Sequence, residues 1–95
     1  MSITLSREMQ LTRGEFLREL PKAIGNLEHQ VAGDKVIITD GDRRIEIRLV
    51  DKGTLDIGSL HLPMEEVDFE FLGHTQEETD AFMERFDHHT QRTGG

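Results

Sequence analysis

From Glu66 to Phe71, acidic and apolar side chains alternate without a break. Glu66, Asp68 and Glu70 hold the even positions, Val67, Phe69 and Phe71 the odd ones. A strict period of two belongs to a strand with one dry face and one wet face. Such a strand needs neighbours for its backbone groups and a cover for its apolar side chains. With 95 residues in all, the cover has to come from the same domain. The expected fold is therefore α+β, with helices packed on one face of an antiparallel sheet. At this length only about 60–65% of the unfolded surface is buried, so the core is small.

Further strand signals surround this one. Ile3 and Leu5 alternate with Ser2, Thr4 and Ser6. Lys35–Thr39 and Asp42–Val50 read as a hairpin joined by Asp40-Gly41, a type I′ turn dipeptide. That loop would set Val36 opposite Ile45 and Lys35 opposite Glu46. Val36, Ile38, Ile45, Ile47 and Leu49 then share the dry face, and Arg44, Glu46 and Arg48 the wet one. Asp51-Lys52-Gly53 reads as another turn. Leu55 and Ile57 are odd, whereas Leu60, Leu62 and Met64 are even, a phase change that suggests a β-bulge at Gly58-Ser59. Pro63 is expected to end a strand or sit at an edge.

Two helices announce their starts. Thr12-Arg13-Gly14-Glu15 is a capping box, with Leu11 and Phe16 placed for a hydrophobic staple. Phe16, Leu17, Leu20, Ile24 and Leu27 form an apolar stripe. Pro21 should kink this helix or restart it after Leu20, and Gly25 suits its end. Thr75-Gln76-Glu77-Glu78 is a second capping box. Thr79, Phe82, Met83 and Phe86 follow on one face, with Glu77, Asp80, Glu84 and Asp87 largely opposite. The chain from His88 onward is expected to fray. The expected order is β-α-β-β-β-β-α, with residues 1–90 a single domain and 91–95 a flexible tail.

The net charge of −8 is one-sided. Residues 1–48 hold 8 basic and 8 acidic groups, and residues 49–95 hold 3 and 11. Without excess cations, neither nucleic acid nor an anionic membrane surface is an expected partner. Cysteine is absent, which excludes disulfides, thiolate nucleophiles and zinc–thiolate sites. No apolar run approaches the ~20 residues of a membrane span. The first residues lack a signal-peptide pattern, so a cytoplasmic location is expected. Trp and Tyr are also absent, leaving five Phe as the only aromatic side chains apart from His.

Catalytic motifs are sparse. Glu84 and His88 are spaced i,i+4, beside Asp87 and His89, but H-E-x-x-H is missing and the donors are too few for a tight site. Gly53 and Gly58 have Walker-A spacing without the lysine, and Asp40-Gly41-Asp42 opens like a calcium loop without its later positions. No metal and no cofactor are expected. His61 or His74 could act as a base only beside a carboxylate in a cleft, which would make the chain a small enzyme. The same condition holds for His29. The reading preferred on sequence is a non-enzymatic module that binds a protein, a basic one or a second copy of itself. Its candidate residues are Glu66, Asp68 and Glu70 on the acidic strand and Glu77 and Asp80 on the last helix.

Three resemblances accompany this reading. The terminal pair Gly94-Gly95, after Arg92-Thr93, resembles the tails of ubiquitin-like modifiers and sulfur carriers, which implies adenylation of the terminal carboxylate by an activating enzyme. The β-α start followed by a β-meander, with Thr12-Arg13-Gly14-Glu15-Phe16-Leu17-Arg18-Glu19-Leu20 opening the helix, resembles small bacterial amphi-Trp domains over residues 3–72. This chain has no Trp and adds a final helix. Ile57-Gly58-Ser59-Leu60-His61-Leu62-Pro63, with the later Phe69-Glu70-Phe71 and Arg85-Phe86-Asp87, also resembles short bacterial proteins that end in a glycine-rich tail. The amphi-Trp likeness implies no catalytic residue.

Overall fold

In the computed structural model, residues 2–90 are described. They form β1 (Ser2–Met9), α1 (Arg13–Ile24), β2 (Glu28–Ala32), β3 (Lys35–Asp40), β4 (Arg43–Ile57), β5 (Leu60–Leu72) and α2 (Gln76–Thr90). The fold is α+β, in the expected order of elements. One antiparallel sheet runs β1-β5-β4-β3-β2, so the first strand closes against the last. Both helices lie on the same face.

The core is where alternation and helical stripe meet. Val36 and Ile38 of β3, Ile45, Ile47 and Leu49 of β4, and Val67, Phe69 and Phe71 of β5 are all buried. Phe16, Leu20, Ala23 and Ile24 of α1 and Met83 and Phe86 of α2 cover them. Phe86 joins the layers, meeting Phe69 edge-on at 5.1 Å and Phe16 at 5.9 Å. Burying side chains of this size is worth roughly 1.5–3 kcal/mol each.

Local signals begin both helices. Thr12 Oγ1 accepts from the Glu15 amide at 3.1 Å, and Glu15 Oε1 accepts from the Thr12 amide at 2.9 Å. Thr75 and Glu78 repeat the exchange at 3.1 and 2.9 Å. These bonds favour the charged carboxylate and hold both Glu15 and Glu78 below the ordinary range. α1 runs through Pro21 to Ile24 without a restart after Leu20, one of the two expectations, and Gly25 closes it by donating to the Pro21 carbonyl. α2 does not fray at His88 but continues to a buried Thr90. Two arginines pin α2 to the sheet. Arg7 of β1 grips Asp87, and Arg43 of β4 bonds Glu78 and, at 2.9 Å, Asp40.

The hairpins differ from the sequence expectation in an instructive way. The β3–β4 turn is Gly41-Asp42, not Asp40-Gly41, so Val36 faces Ile47 and Lys35 faces Arg48. A type I′ turn needs positive φ at both central residues, and no described non-glycine residue has it. Glycine instead takes the first turn position, as type II′ requires. Gly33-Asp34 between β2 and β3 and Gly58-Ser59 between β4 and β5 follow the same rule. The two-residue slip keeps every side chain on its expected face, and Lys35 still reaches Glu46 diagonally at 3.9 Å.

The expected turn and bulge along residues 51–59 exchange places. Asp51-Lys52-Gly53 lies inside β4 as a register irregularity between Asp51 and Thr54, while Gly58-Ser59 is the turn. Pro63 does not end β5. It lies beyond the last β1 partner of that strand, Glu65, so its ring has to fit only one ladder.

Candidate functional site

Past the β4 irregularity, β4 and β5 leave the sheet as a two-stranded arm, Thr54–Ile57 against Leu60–Pro63. The molecule is accordingly long, 47 × 26 × 24 Å. Directly opposed residues share a face. Leu55 meets Leu62 and Ile57 meets Leu60 on one side, whereas Thr54 meets Pro63 and Asp56 meets His61 on the other.

Alternation along β5 fixes which way the apolar side points. Val67, Phe69 and Phe71 point to the helices, so Leu60, Leu62 and Met64 lie on the face away from them. The extra residue in β4 changes its parity, bringing Leu55 and Ile57 onto that same outer face. Leu55, Ile57 and Leu60 are 40%, 55% and 59% exposed. The apolar stripe thus crosses from one side of the sheet to the other at Glu65.

The outer face of the sheet itself is polar and divided. Its β1–β5 half carries Glu8, Glu66, Asp68 and Glu70, with Ser6 donating to Asp68 at 2.6 Å. Its β4–β3 half carries Arg44, Arg48 and Lys35 around Glu46. Lys35 and Arg44 both form ion pairs with Glu46, at 3.9 and 3.1 Å. Among the described residues, the side chains of Arg48, Glu66 and Glu70 have no hydrogen-bond or ion-pair partner. A shallow concavity between Thr4, Lys35, Arg48, Asp68 and Glu70 joins the two halves.

This arrangement splits the acidic surface expected from sequence. Glu66, Asp68 and Glu70 stand together on the outer face, beside cations that belong to the next strand. Glu77 and Asp80 are exposed on α2, on the other side of the sheet. Gly94 and Gly95 lie outside the described residues.

The root of the arm holds a buried charge. Glu65 is 5% exposed, its Oε1 accepts no hydrogen bond, and Arg13 approaches only to 4.0 Å. Burial, and then Asp51 opposite it, push this carboxyl above its ordinary range, against the pull of Arg13.

The histidines are dispersed. His61 Nδ1 lies 2.7 Å from Asp56 Oδ1, but both side chains project into solvent from the arm. His74 packs edge-on against Phe71 at 5.4 Å, and His29 is exposed on β2. His88 and His89 stack edge-on at the end of α2, where Asp87 is held by Arg7. Among the described residues, no three His, Asp or Glu side chains are placed to share a metal ion, and no helix is long and apolar enough to cross a membrane. Comparison with protein-family models, curated proteins and solved structures finds no match.

Proposed function

We propose that the chain is a non-enzymatic protein-binding module, and that its contact surface is the bare outer face of the sheet together with the apolar side of the arm. The observation behind this reading is the exposure of Leu55, Ile57 and Leu60 on a projection that neither helix covers. An isolated two-stranded hairpin is only marginally stable in water. Natural sheets also blunt exposed apolar strands with charges, prolines or bulges. Here four aliphatic residues line one side of the arm, and a contiguous apolar patch of this kind marks an interaction surface.

The acidic row Glu66, Asp68 and Glu70 belongs to this surface, but Arg44, Arg48 and Lys35 share it. A partner suited to it carries both signs of charge rather than a basic patch alone. Glu77 and Asp80 fall outside it.

Site-specific photo-crosslinking in the native host tests the reading. A crosslinker replacing Leu60 should trap a protein adduct, and one replacing Glu77 should trap none. Equal adducts from both positions, or none from Leu60, would remove the arm as the contact surface.

A further inference from the structure

Accepting that reading of the surface, we infer that its partner is a second copy of this chain, packed outer face to outer face about a two-fold axis parallel to β4 and β5. Two properties of the surface select this arrangement.

The first is area. The arm alone is too narrow to support a stable pair. At about 4.8 Å per strand and 3.4 Å per residue, β1, β3, β4 and β5 with the arm, the strands such an axis would overlay, present on the order of 700 Å². That approaches the area each partner of a stable complex typically buries, roughly 800 Å². The sheet face therefore has to take part along with the arm.

The second is charge. A two-fold axis lying along the strands, between β4 and β5, sets each β4 residue over the β5 residue that is its own register partner, in the other copy. Arg48 pairs in register with Asp68. Across the axis, Arg48 of one copy stands over Asp68 of the second, within diagonal reach of Glu66 and Glu70. All three acids line the half of the face opposite the cations, and Arg48, Glu66 and Glu70 lack partners within the described chain. The same operation lays Leu55 over Leu62 and Ile57 over Leu60, so the two arms close an apolar seam. Glu46 meets Glu70 of the second copy, but Lys35 and Arg44 are already ion-paired with Glu46. An axis across the strands would instead lay the acidic β5 row over its own copy. Like charges would then face one another, which opposes pairing.

A charge-swap pair decides the matter. The wild-type chain should sediment at twice its 10.9 kDa mass at micromolar concentration. Arg48→Asp and Asp68→Arg should each weaken the pair, by about tenfold per contact and, as each contact occurs twice, about a hundredfold. Mixing the two variants should restore a pair of wild-type mass. In the mixed pair the introduced aspartate faces the introduced arginine, and the native Arg48 faces the native Asp68. Neither variant has that complementarity with itself. Circular dichroism confirms that each variant is folded. A monomeric wild type overturns the second copy as partner and leaves the binding module to the crosslinking test, where the mass of the Leu60 adduct tells a second copy from another protein. A dimeric wild type whose two variants still pair with themselves, or fail to pair with each other, overturns this two-fold axis.

Discussion

The two ends of β5 obey the same alternation and do opposite things with it. From Glu65 to Leu72 the odd residues are buried under two helices. From Leu60 to Met64 the even residues are apolar, and they face away from those helices. One end builds the core that holds the chain together. The other end extends the same ladder outward and leaves its apolar side uncovered. A strand's pattern reports only that one face is dry, and not what dries it. In the body the answer is α1 and α2; in the arm Leu55, Ile57 and Leu60 stay exposed, and the proposed partner would supply the answer.

Substitutions at the two ends sharpen the contrast. Phe69→Ala, in the body, should cost about 3–5 kcal/mol in urea unfolding, because Phe69 is 1% exposed and packs on Phe71 and Phe86. A loss below about 1 kcal/mol would show that the core can collapse around the gap. Thr12→Ala removes the cap that starts α1 and should cost about 1 kcal/mol, read from the same transition.

Glu65→Gln acts at the boundary between body and arm. The folded chain holds the Glu65 proton more tightly than the unfolded chain, so the native carboxylate lowers stability as pH rises from its ordinary 4.5 through the raised value. The variant should therefore melt higher than wild type at pH 7 and about equally near pH 4. A lower melting temperature at pH 7 would mean that the ion pair with Arg13 outweighs burial.

Leu60→Ser, on the arm, should change the unfolding free energy by less than about 0.5 kcal/mol when measured at concentrations where the chain is monomeric. A cost above about 2 kcal/mol would place Leu60 in the monomer's own core and erase the contrast between the two ends.

What could be read from sequence followed from how local each signal is. Both helix starts were legible because a capping box closes within four residues, and the dry and wet faces were legible because alternation is a property of one strand. The turns were less so. A two-residue hairpin pairs positions of opposite parity, so the change from Leu55 and Ile57 to Leu60 and Leu62 marks a turn as readily as a bulge. β2 gave little signal, because Glu28–Ala32 contains one large aliphatic residue and is exposed throughout. Its place depends on pairing with β3 through Gly33-Asp34. For the site, the row Glu66, Asp68 and Glu70 was evident. Its basic neighbours were not, since Arg48 comes beside Asp68 only through a pairing 20 positions long. The direction of the arm's apolar side was equally hidden, being set by the single extra residue in β4.

Sheet order also sets a timetable. β1 leaves the ribosome before the other strands, yet its neighbour is β5, with Ser2 facing Leu72. The grip of Arg7 on Asp87 spans 80 positions. β2, β3 and β4 can zip as they emerge through short turns, while Ile3, Leu5 and Met9 wait without a ladder until β5 has been made. Contacts this distant slow folding. A nascent chain stalled before Leu72 should accordingly present β1 to chaperones, and completion of β5 should withdraw it.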